Sequence, residues 1–147
     1  MISGLEIMLT GIGSAFAAQV IKLVGYLVTH RKINFKILST TGGMPSSHSS
    51  GTVAMSTAVG LISGFGSEIF AVSAGFTLVV MYDAAGLRRA AGKTAASLNR
   101  IMEDFYEGKP VQVEKLKELL GHTPFEVFMG AILGVVLAYF NHYILFA

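Results

Sequence analysis

Apolar residues fall into four long stretches separated by polar segments. The stretches cover residues 3–29, 49–65, 68–87 and 124–146, and none of them shows the alternation of a β-strand. A membrane-spanning helix needs roughly 20 apolar residues, with a range of about 17 to 25. The second stretch is short, but its Gly, Ala, Ser and Thr residues suit close packing between membrane helices. The pattern therefore predicts an all-α, polytopic membrane helix bundle with about four transmembrane helices.

A polar insert, residues 88–121, separates the third and fourth stretches. Within it, AGKTAASLNRIMEDFYEGKP and VEKLKELLG each carry apolar side chains on one side and charges on the other. Segments of this kind are typical of amphipathic helices that lie on a membrane surface or cap a bundle. We therefore expect short cytoplasmic amphipathic helices within a single membrane-embedded domain that covers residues 1–147.

Composition and charge agree with lipid as the surrounding solvent. The 147 residues are 52% hydrophobic and 14% charged, whereas soluble domains carry about 25% charged residues. All Lys and Arg residues except Lys22 lie in the loop after the first stretch or in the insert. Because cytoplasmic loops carry the excess of Lys and Arg, we expect an integral protein of the plasma or inner membrane with both termini outside.

The composition also bears on partners. No basic tail and no nucleic-acid-binding motif is present, so we expect no nucleic acid partner. Helix faces rich in small residues are compatible with a homo-oligomer, because such faces let helices approach closely in a membrane.

The segment TGGMPSSHSS, residues 41–50, leads directly into the second apolar stretch. A helix N-terminus offers free N–H groups and a positive dipole end, which makes it a natural anion site. Gly43 permits close approach of the backbone to a ligand, Ser46 and Ser47 add hydroxyl donors, and His48 can transfer a proton near neutral pH. A single serine that caps the helix is the alternative, but the segment contains far more polar residues than one cap requires.

A second cluster, in MYDAAGLRRAAGK, lies at the end of the third stretch. Asp83 is an ionisable residue inside a spanning segment, which makes it a candidate for function. It lies about one turn from Arg88, so it can orient an arginine whose planar fork suits phosphate. Arg88 and Arg89 can equally be interface anchors whose side chains snorkel to water.

The third cluster is His122-Thr123-Pro124-Phe125-Glu126. Thr123 as N-cap, Pro124 at the first helical position and Glu126 three residues after the cap form a capping box, which explains these three residues without any chemistry. It does not explain His122. In the functional interpretation His122 is a nucleophile or base, and Glu126 orients its imidazole. Since Glu126 also belongs to the capping box, this interpretation requires one of its oxygens to serve the cap and the other to bond His122.

The expected topology brings these clusters together. The start of the second helix, the end of the third and the start of the fourth all lie at the cytoplasmic face in this arrangement. Lys22, two helical turns inside the first stretch, either snorkels to the cytoplasm or points inward to neutralise an anion. His142 lies near the opposite end, where we interpret it as an interfacial residue.

The three motifs resemble the divergent membrane branch of the acid phosphatase and vanadium-dependent haloperoxidase superfamily, which includes the type 2 phosphatidic acid phosphatases. In that superfamily a Pro-Ser-Gly-His motif supplies phosphate donors and an acid, and Pro45-Ser46-Ser47-His48 is similar. A His-x-x-x-Asp element supplies the nucleophile and its carboxylate, and His122-x-x-x-Glu126 is similar. The arginine that normally precedes the nucleophilic histidine is missing, so Arg88 or Arg89 would have to replace it.

The resemblance implies a phosphatase that hydrolyses a phosphomonoester on a lipid, of the phosphatidic acid, phosphatidylglycerophosphate or prenyl phosphate type. His122 would attack phosphorus, Glu126 would orient it, and His48 would protonate the leaving oxygen. Phosphate-binding groups would be Lys22, Ser46, Ser47, Gly43 and one or both of Arg88 and Arg89, with Asp83 in a supporting role. This scheme requires no metal and no other cofactor. The alternatives are a non-catalytic protein that binds phosphorylated lipid headgroups, and a vanadate-dependent haloperoxidase.

Overall fold

The computed structural model describes residues 3–35, 37, 43–105 and 121–146; the side chains of Ser3, of residues 87–90 and of residues 103–105 lie outside this description. Within these residues the chain forms α-helices and no β-strand, as the all-α prediction requires. We number the helices in chain order: α1 (Ser3–His30), α2 (Ser47–Ser63), α3 (Glu68–Ala85), α4 (Leu87–Phe105) and α5 (Pro124–Phe140). A π-helical turn, Asn141–Leu145, continues α5.

Polar caps set the starts of three helices. The Ser46 hydroxyl accepts the N–H of Ser49 at the start of α2, and the Ser67 hydroxyl accepts the N–H of Phe70 at the start of α3. At the start of α5, Thr123 forms the capping box that the sequence predicts, with Pro in the first turn. Each cap satisfies N–H groups that the helix itself leaves without an acceptor.

Helix α2 is the centre of the bundle, and α1, α3 and α5 pack around it. Its buried residues are mostly small: Ser49, Ser50, Gly51, Ala54, Ser56, Thr57, Ala58, Val59 and Gly60. Small residues let helix backbones approach closely, and this contact replaces the hydrophobic effect that lipid cannot supply. A Cβ atom added to Gly51 would lie 3.1 Å from the Cβ atom of Ala15 on α1, which shows how tightly α1 and α2 pack.

Within the part of the chain that the structure describes, three helical segments are long and apolar enough to cross a membrane: Gly4–His30, Glu68–Ala85 and Pro124–Leu145. Helix α2 has 17 residues, or about 25 Å at 1.5 Å per residue, which is less than the roughly 30 Å of the hydrocarbon core. The structure therefore supports three of the four expected transmembrane helices. Because α2 is enclosed by the other helices, much of its surface contacts protein and not lipid.

The first part of the polar insert forms α4, which begins directly after Gly86 at the end of α3. Its buried positions, Gly92, Ala95 and Asn99, are spaced by three and four residues and so share one face of the helix, as expected of an amphipathic helix. The second helix that the sequence predicts, VEKLKELLG, lies outside the described residues except for Gly121.

The start of α1 contacts the end of α5 at one end of the bundle. His142 Nδ1 lies 2.7 Å from Glu6 Oε1, and the Asn141 side-chain amide donates to the Thr10 hydroxyl at 3.4 Å. Glu6 is buried, with 7% of its surface exposed. His142 is therefore more than an interfacial residue, because it supplies the partner that this buried carboxylate needs.

Candidate functional site

His122 lies at the other end of the bundle, two residues before α5, and only 2% of its surface is exposed. Its backbone N–H donates to the carbonyl oxygen of Ala84 in the last turn of α3, at 3.0 Å. Its Nδ1 atom lies 3.2 Å from Glu126 Oε2. Backbone and side chain are thus held by two different helices, so the imidazole has a fixed direction.

One carboxylate oxygen of Glu126 performs both of the roles that the sequence suggested. Glu126 Oε2 faces His122 Nδ1 and also accepts the backbone N–H of Thr123 at 3.1 Å. The expectation that one oxygen would serve the cap and the other would bond His122 is wrong. A carboxylate oxygen has two lone pairs, and His122 and Thr123 are adjacent in the chain, so both donors reach the same oxygen. The capping box and the orientation of His122 are therefore compatible.

The environment of His122 favours the neutral imidazole. Burial lowers its pKa below the usual value of 6.5, and the positive charge of Lys22 lowers it further, whereas the hydrogen bond to Glu126 and the backbone of Gly43 act in the opposite direction. With Nδ1 directed at Glu126, the neutral ring presents an unprotonated Nε2. This atom is buried and has no hydrogen-bond partner among the described residues.

His48, in the first turn of α2, lies next to His122. The two ring centroids are 5.9 Å apart, and the ring planes meet at 67°. A backbone hydrogen bond of 3.0 Å from the N–H of Ser46 to the carbonyl oxygen of Glu126 joins the start of α2 to α5. Two histidines that are 74 positions apart in the sequence therefore face each other.

Lys22 adds a buried cation from α1. It is 8% exposed, and its Nζ atom has no hydrogen-bond partner within the part of the chain that the structure describes. Gly43 (φ +80°) packs beside it, since a Cβ atom there would lie 3.8 Å from Lys22 Cδ. Lys22 interacts electrostatically with both Glu126 and His122. A buried ammonium without a bonded partner is costly, and an anion bound at this point would remove the cost.

The serines at the start of α2 have different surroundings. Ser46 is fully buried: its hydroxyl caps the N–H of Ser49, its N–H bonds Glu126 and its carbonyl accepts the N–H of Ser50. Its hydroxyl keeps one hydrogen to donate. Ser47 is half-buried at the first position of α2. The Ser49 hydroxyl is buried and has no partner among the described residues.

The remaining candidates are placed only in part. Arg88 and Arg89 lie in the first turn of α4, directly after α3, and their side chains are outside the described part of the structure. Asp83 is half-buried in the last turn of α3, next to the residue whose carbonyl oxygen accepts from His122. Among the side chains that the structure describes, no three His, Asp or Glu residues cluster as a metal ion would require.

Comparison with known proteins gives the family. The model of the divergent PAP2 family matches residues 4–137. The chain belongs to the divergent PAP2 family. A relative from Bacillus subtilis (strain 168), named "Uncharacterized membrane protein YuiD", is 41% identical over 148 residues, covering 90% of this chain and 94% of the relative. No solved structure matches the chain.

Membership of the divergent PAP2 family confirms the resemblance that the three motifs carry. The match covers all the helices described above except for the first residue of α1, the last three residues of α5 and the π-helical turn. The name of the relative and the three apolar helices of this chain both indicate a membrane protein. The sequence did not identify Gly130 of α5, which packs on Ser46, although the Gly-x-x-x-Gly spacing of Gly130 and Gly134 is a recognised signal of close helix contact.

Proposed function

We propose that this protein is an integral-membrane phosphatase that hydrolyses the phosphomonoester of a lipid through a phosphohistidine intermediate. The observation that carries the proposal is the pairing of two buried groups. The Nε2 atom of His122 has no hydrogen-bond partner among the described residues, and neither has the Lys22 ammonium. A nucleophilic nitrogen near a buried cation that has no hydrogen-bond partner among the described residues suits the attack of an imidazole on a phosphate group.

The first step forms a bond between His122 Nε2 and phosphorus and breaks the bond between phosphorus and the ester oxygen. His48 donates a proton to the departing oxygen, which leaves as the alcohol of the lipid. Glu126 accepts from Nδ1 and stabilises the positive charge that develops on the ring. The phosphoryl oxygens are stabilised by Lys22, by the hydroxyls of Ser46 and Ser47 and by the backbone at Gly43. Arg88 or Arg89 also binds these oxygens, and Asp83 orients that arginine.

In the second step, water attacks the phosphorus atom and the bond to His122 Nε2 breaks. His48, now neutral, takes the proton of the water, and inorganic phosphate is released. The cycle returns both histidines to their starting states, so no proton is gained or lost by the enzyme. No metal or other cofactor takes part in this scheme.

The depth of Lys22 supports a lipid substrate. Lys22 is eight residues before the end of α1 at His30, which places it about 12 Å below that end at 1.5 Å per residue. A phosphate on a lipid headgroup reaches this depth more readily than the phosphate of a soluble metabolite. The distribution of Lys and Arg in the sequence further supports a site on the cytoplasmic side with both termini outside.

The experiment is a phosphate-release assay with purified protein in detergent micelles. Phosphatidic acid, phosphatidylglycerophosphate and a prenyl phosphate are tested with the wild type and with His122→Ala. The proposal predicts turnover of at least one of these lipids by the wild type and none by His122→Ala, with helical content unchanged by circular dichroism. Full activity of His122→Ala would exclude the mechanism.

The same assay separates the binding alternative. A protein that only binds phosphorylated headgroups would retain lipid in a flotation assay with vesicles but would release no phosphate from any of the three lipids. Binding of this kind that is lost in Lys22→Gln, without turnover in the wild type, would replace the phosphatase proposal with a role in lipid binding.

A further inference from the structure

Helix α5 approaches the first turn of α2 so closely that only glycine fits at position 130. A Cβ atom added to Gly130 would overlap the carbonyl oxygen of Ser46 and would lie 3.0 Å from Ser49 Cβ and 3.1 Å from Ser46 N. Two of these three atoms belong to the backbone, which cannot rotate away as the end of a long side chain can. An alanine at position 130 therefore has to move α2 and α5 apart.

The peptide of Ser46 is also bonded to α5 at this point. Its N–H donates to the carbonyl oxygen of Glu126, one turn before Gly130, at 3.0 Å. The side chain of the same Glu126 orients His122. Ser46 in turn starts α2, because its hydroxyl bonds the N–H of Ser49 and its carbonyl oxygen bonds the N–H of Ser50. One tight junction thus connects the cap of α2 to the cap of α5.

We infer that Gly130 is a positioning residue for the proposed reaction: the missing side chain lets α5 hold the first turn of α2, and with it His48, against His122. The inference rests on the proposed phosphatase function. Gly130 acts through Ser46, whose backbone supplies two of the three atoms nearest to an added Cβ. The distance that it controls is the one between the group that protonates the leaving oxygen and the group that attacks phosphorus.

Helix displacement has a larger effect on rate than on lipid binding. A shift of about 1 Å between catalytic groups can cost about 100-fold in rate. In the proposed reaction only the phosphate group of the lipid binds beside Ser46, so we expect the KM to change less than kcat. Gly130→Ala is therefore expected to lower kcat about 100-fold and to change the KM for the lipid much less. If Gly130 had only a structural role, Gly130→Ala would lower thermal stability without lowering kcat much more than it changes KM.

Gly134 is a matched control on the same interface. A Cβ atom added there would lie 2.5 Å from the carbonyl oxygen of Ser50 and 3.0 Å from Ala54 N, so Gly134→Ala disturbs α2 and α5 equally, but one turn further from the histidines. A Cβ atom added to Gly13 would have no other atom within 4 Å, so Gly13→Ala controls for the glycine-to-alanine substitution itself.

The three variants and the wild type are compared by kcat, KM and melting temperature on the lipid phosphate that the wild type hydrolyses. Gly130→Ala and Gly134→Ala should lose similar thermal stability, and only Gly130→Ala should lose kcat by about 100-fold. Equal kcat in these two variants would overturn the inference while the phosphatase function stands. A wild type without turnover would refute the proposed function, and the inference would fail with it.

A second pair of variants tests the junction without adding volume at position 130. The φ of Ser46, −68°, suits proline, but Ser46→Pro replaces the N–H that bonds Glu126 with a ring carbon. This carbon cannot donate a hydrogen bond, and it pushes against the Glu126 carbonyl oxygen, which lies 3.0 Å from Ser46 N. Ser46→Ala removes the hydroxyl alone. Because the clash adds to the loss of the hydrogen bond, we expect kcat of Ser46→Pro to be at least about fivefold below that of Ser46→Ala. Equal values would overturn the inference even if Gly130→Ala failed to fold.

Discussion

Replacing Glu126 by glutamine separates its two roles, because the amide keeps the shape of the side chain and one acceptor oxygen but carries no charge. The carbonyl oxygen of the amide can still accept the N–H of Thr123 and the Nδ1–H of His122, as Glu126 Oε2 does. The helix cap is therefore retained in large part. What disappears is the negative charge beside the imidazole at the moment when phosphorus bonds to Nε2.

The size of the effect follows from the 3.2 Å between His122 Nδ1 and Glu126 Oε2. At an effective dielectric constant of about 20, two unit charges at that separation interact with about 5 kcal/mol. With half of the ring charge developed in the transition state, the loss is about 2.5 kcal/mol, which corresponds to about 70-fold in kcat. Loss of charge in the two hydrogen bonds should lower the free energy of unfolding by about 1 kcal/mol.

Thr123→Ala is the control for this prediction. It removes the hydroxyl that accepts the N–H of Glu126 at 3.3 Å, which should also lower the free energy of unfolding by about 1 kcal/mol. The carboxylate stays beside His122, so kcat should remain within about twofold of the wild type. Both variants are assayed for phosphate release in micelles and for thermal unfolding by circular dichroism. If Glu126→Gln and Thr123→Ala had the same kcat, the carboxylate would be only a helix cap.

Two further predictions concern buried charges. Lys22→Gln removes the cation whose field lowers the pKa of His122, so that pKa should rise and protonated His122 should persist to higher pH. The acidic limb of kcat/KM should therefore move to higher pH, and an unmoved limb would contradict the proximity of these groups. Glu6 is buried and pairs with His142, which is partly exposed. Each of Glu6→Gln and His142→Asn weakens this pair and should destabilise the protein by about 1 to 3 kcal/mol, and the double variant should lose less than the sum of the two. The value of kcat should stay unchanged, and additive losses of stability would show that the pair does not interact.

The helix boundaries that the sequence predicted best are those with a chemical cap. Helices α3 and α5 begin at Glu68 and Pro124, where the apolar stretches begin, because Ser67 and Thr123 cap them. Helix α2 begins two residues before its apolar stretch, at Ser47, since Ser46 supplies the cap. Local hydrogen bonding of this kind is encoded by neighbouring residues, so a sequence pattern reveals it.

The candidate site was predictable in part for a different reason. His48, His122 and Lys22 were each singled out by local signals, and alternating helix directions bring their helix ends together. The adjacency of the two histidines could not be derived in detail, since it depends on the close contact of α2 and α5 at Gly130. The pairing of Glu6 with His142 was missed because the two residues are 136 positions apart. The sequence signal that could have revealed a polar contact of α1 is the recurrence of polar residues at four-residue spacing along this helix.

The most direct measurement of the central claim is the capture of the covalent intermediate. Wild-type protein in micelles is mixed with lipid carrying ³²P in its phosphomonoester, quenched in alkali and digested, and the labelled peptide is sequenced. Our account predicts a label on His122 that is stable in alkali and lost in acid, present in the wild type and absent in His122→Ala. Turnover of the lipid by the wild type with no label on His122, or with the label on another residue, would contradict it.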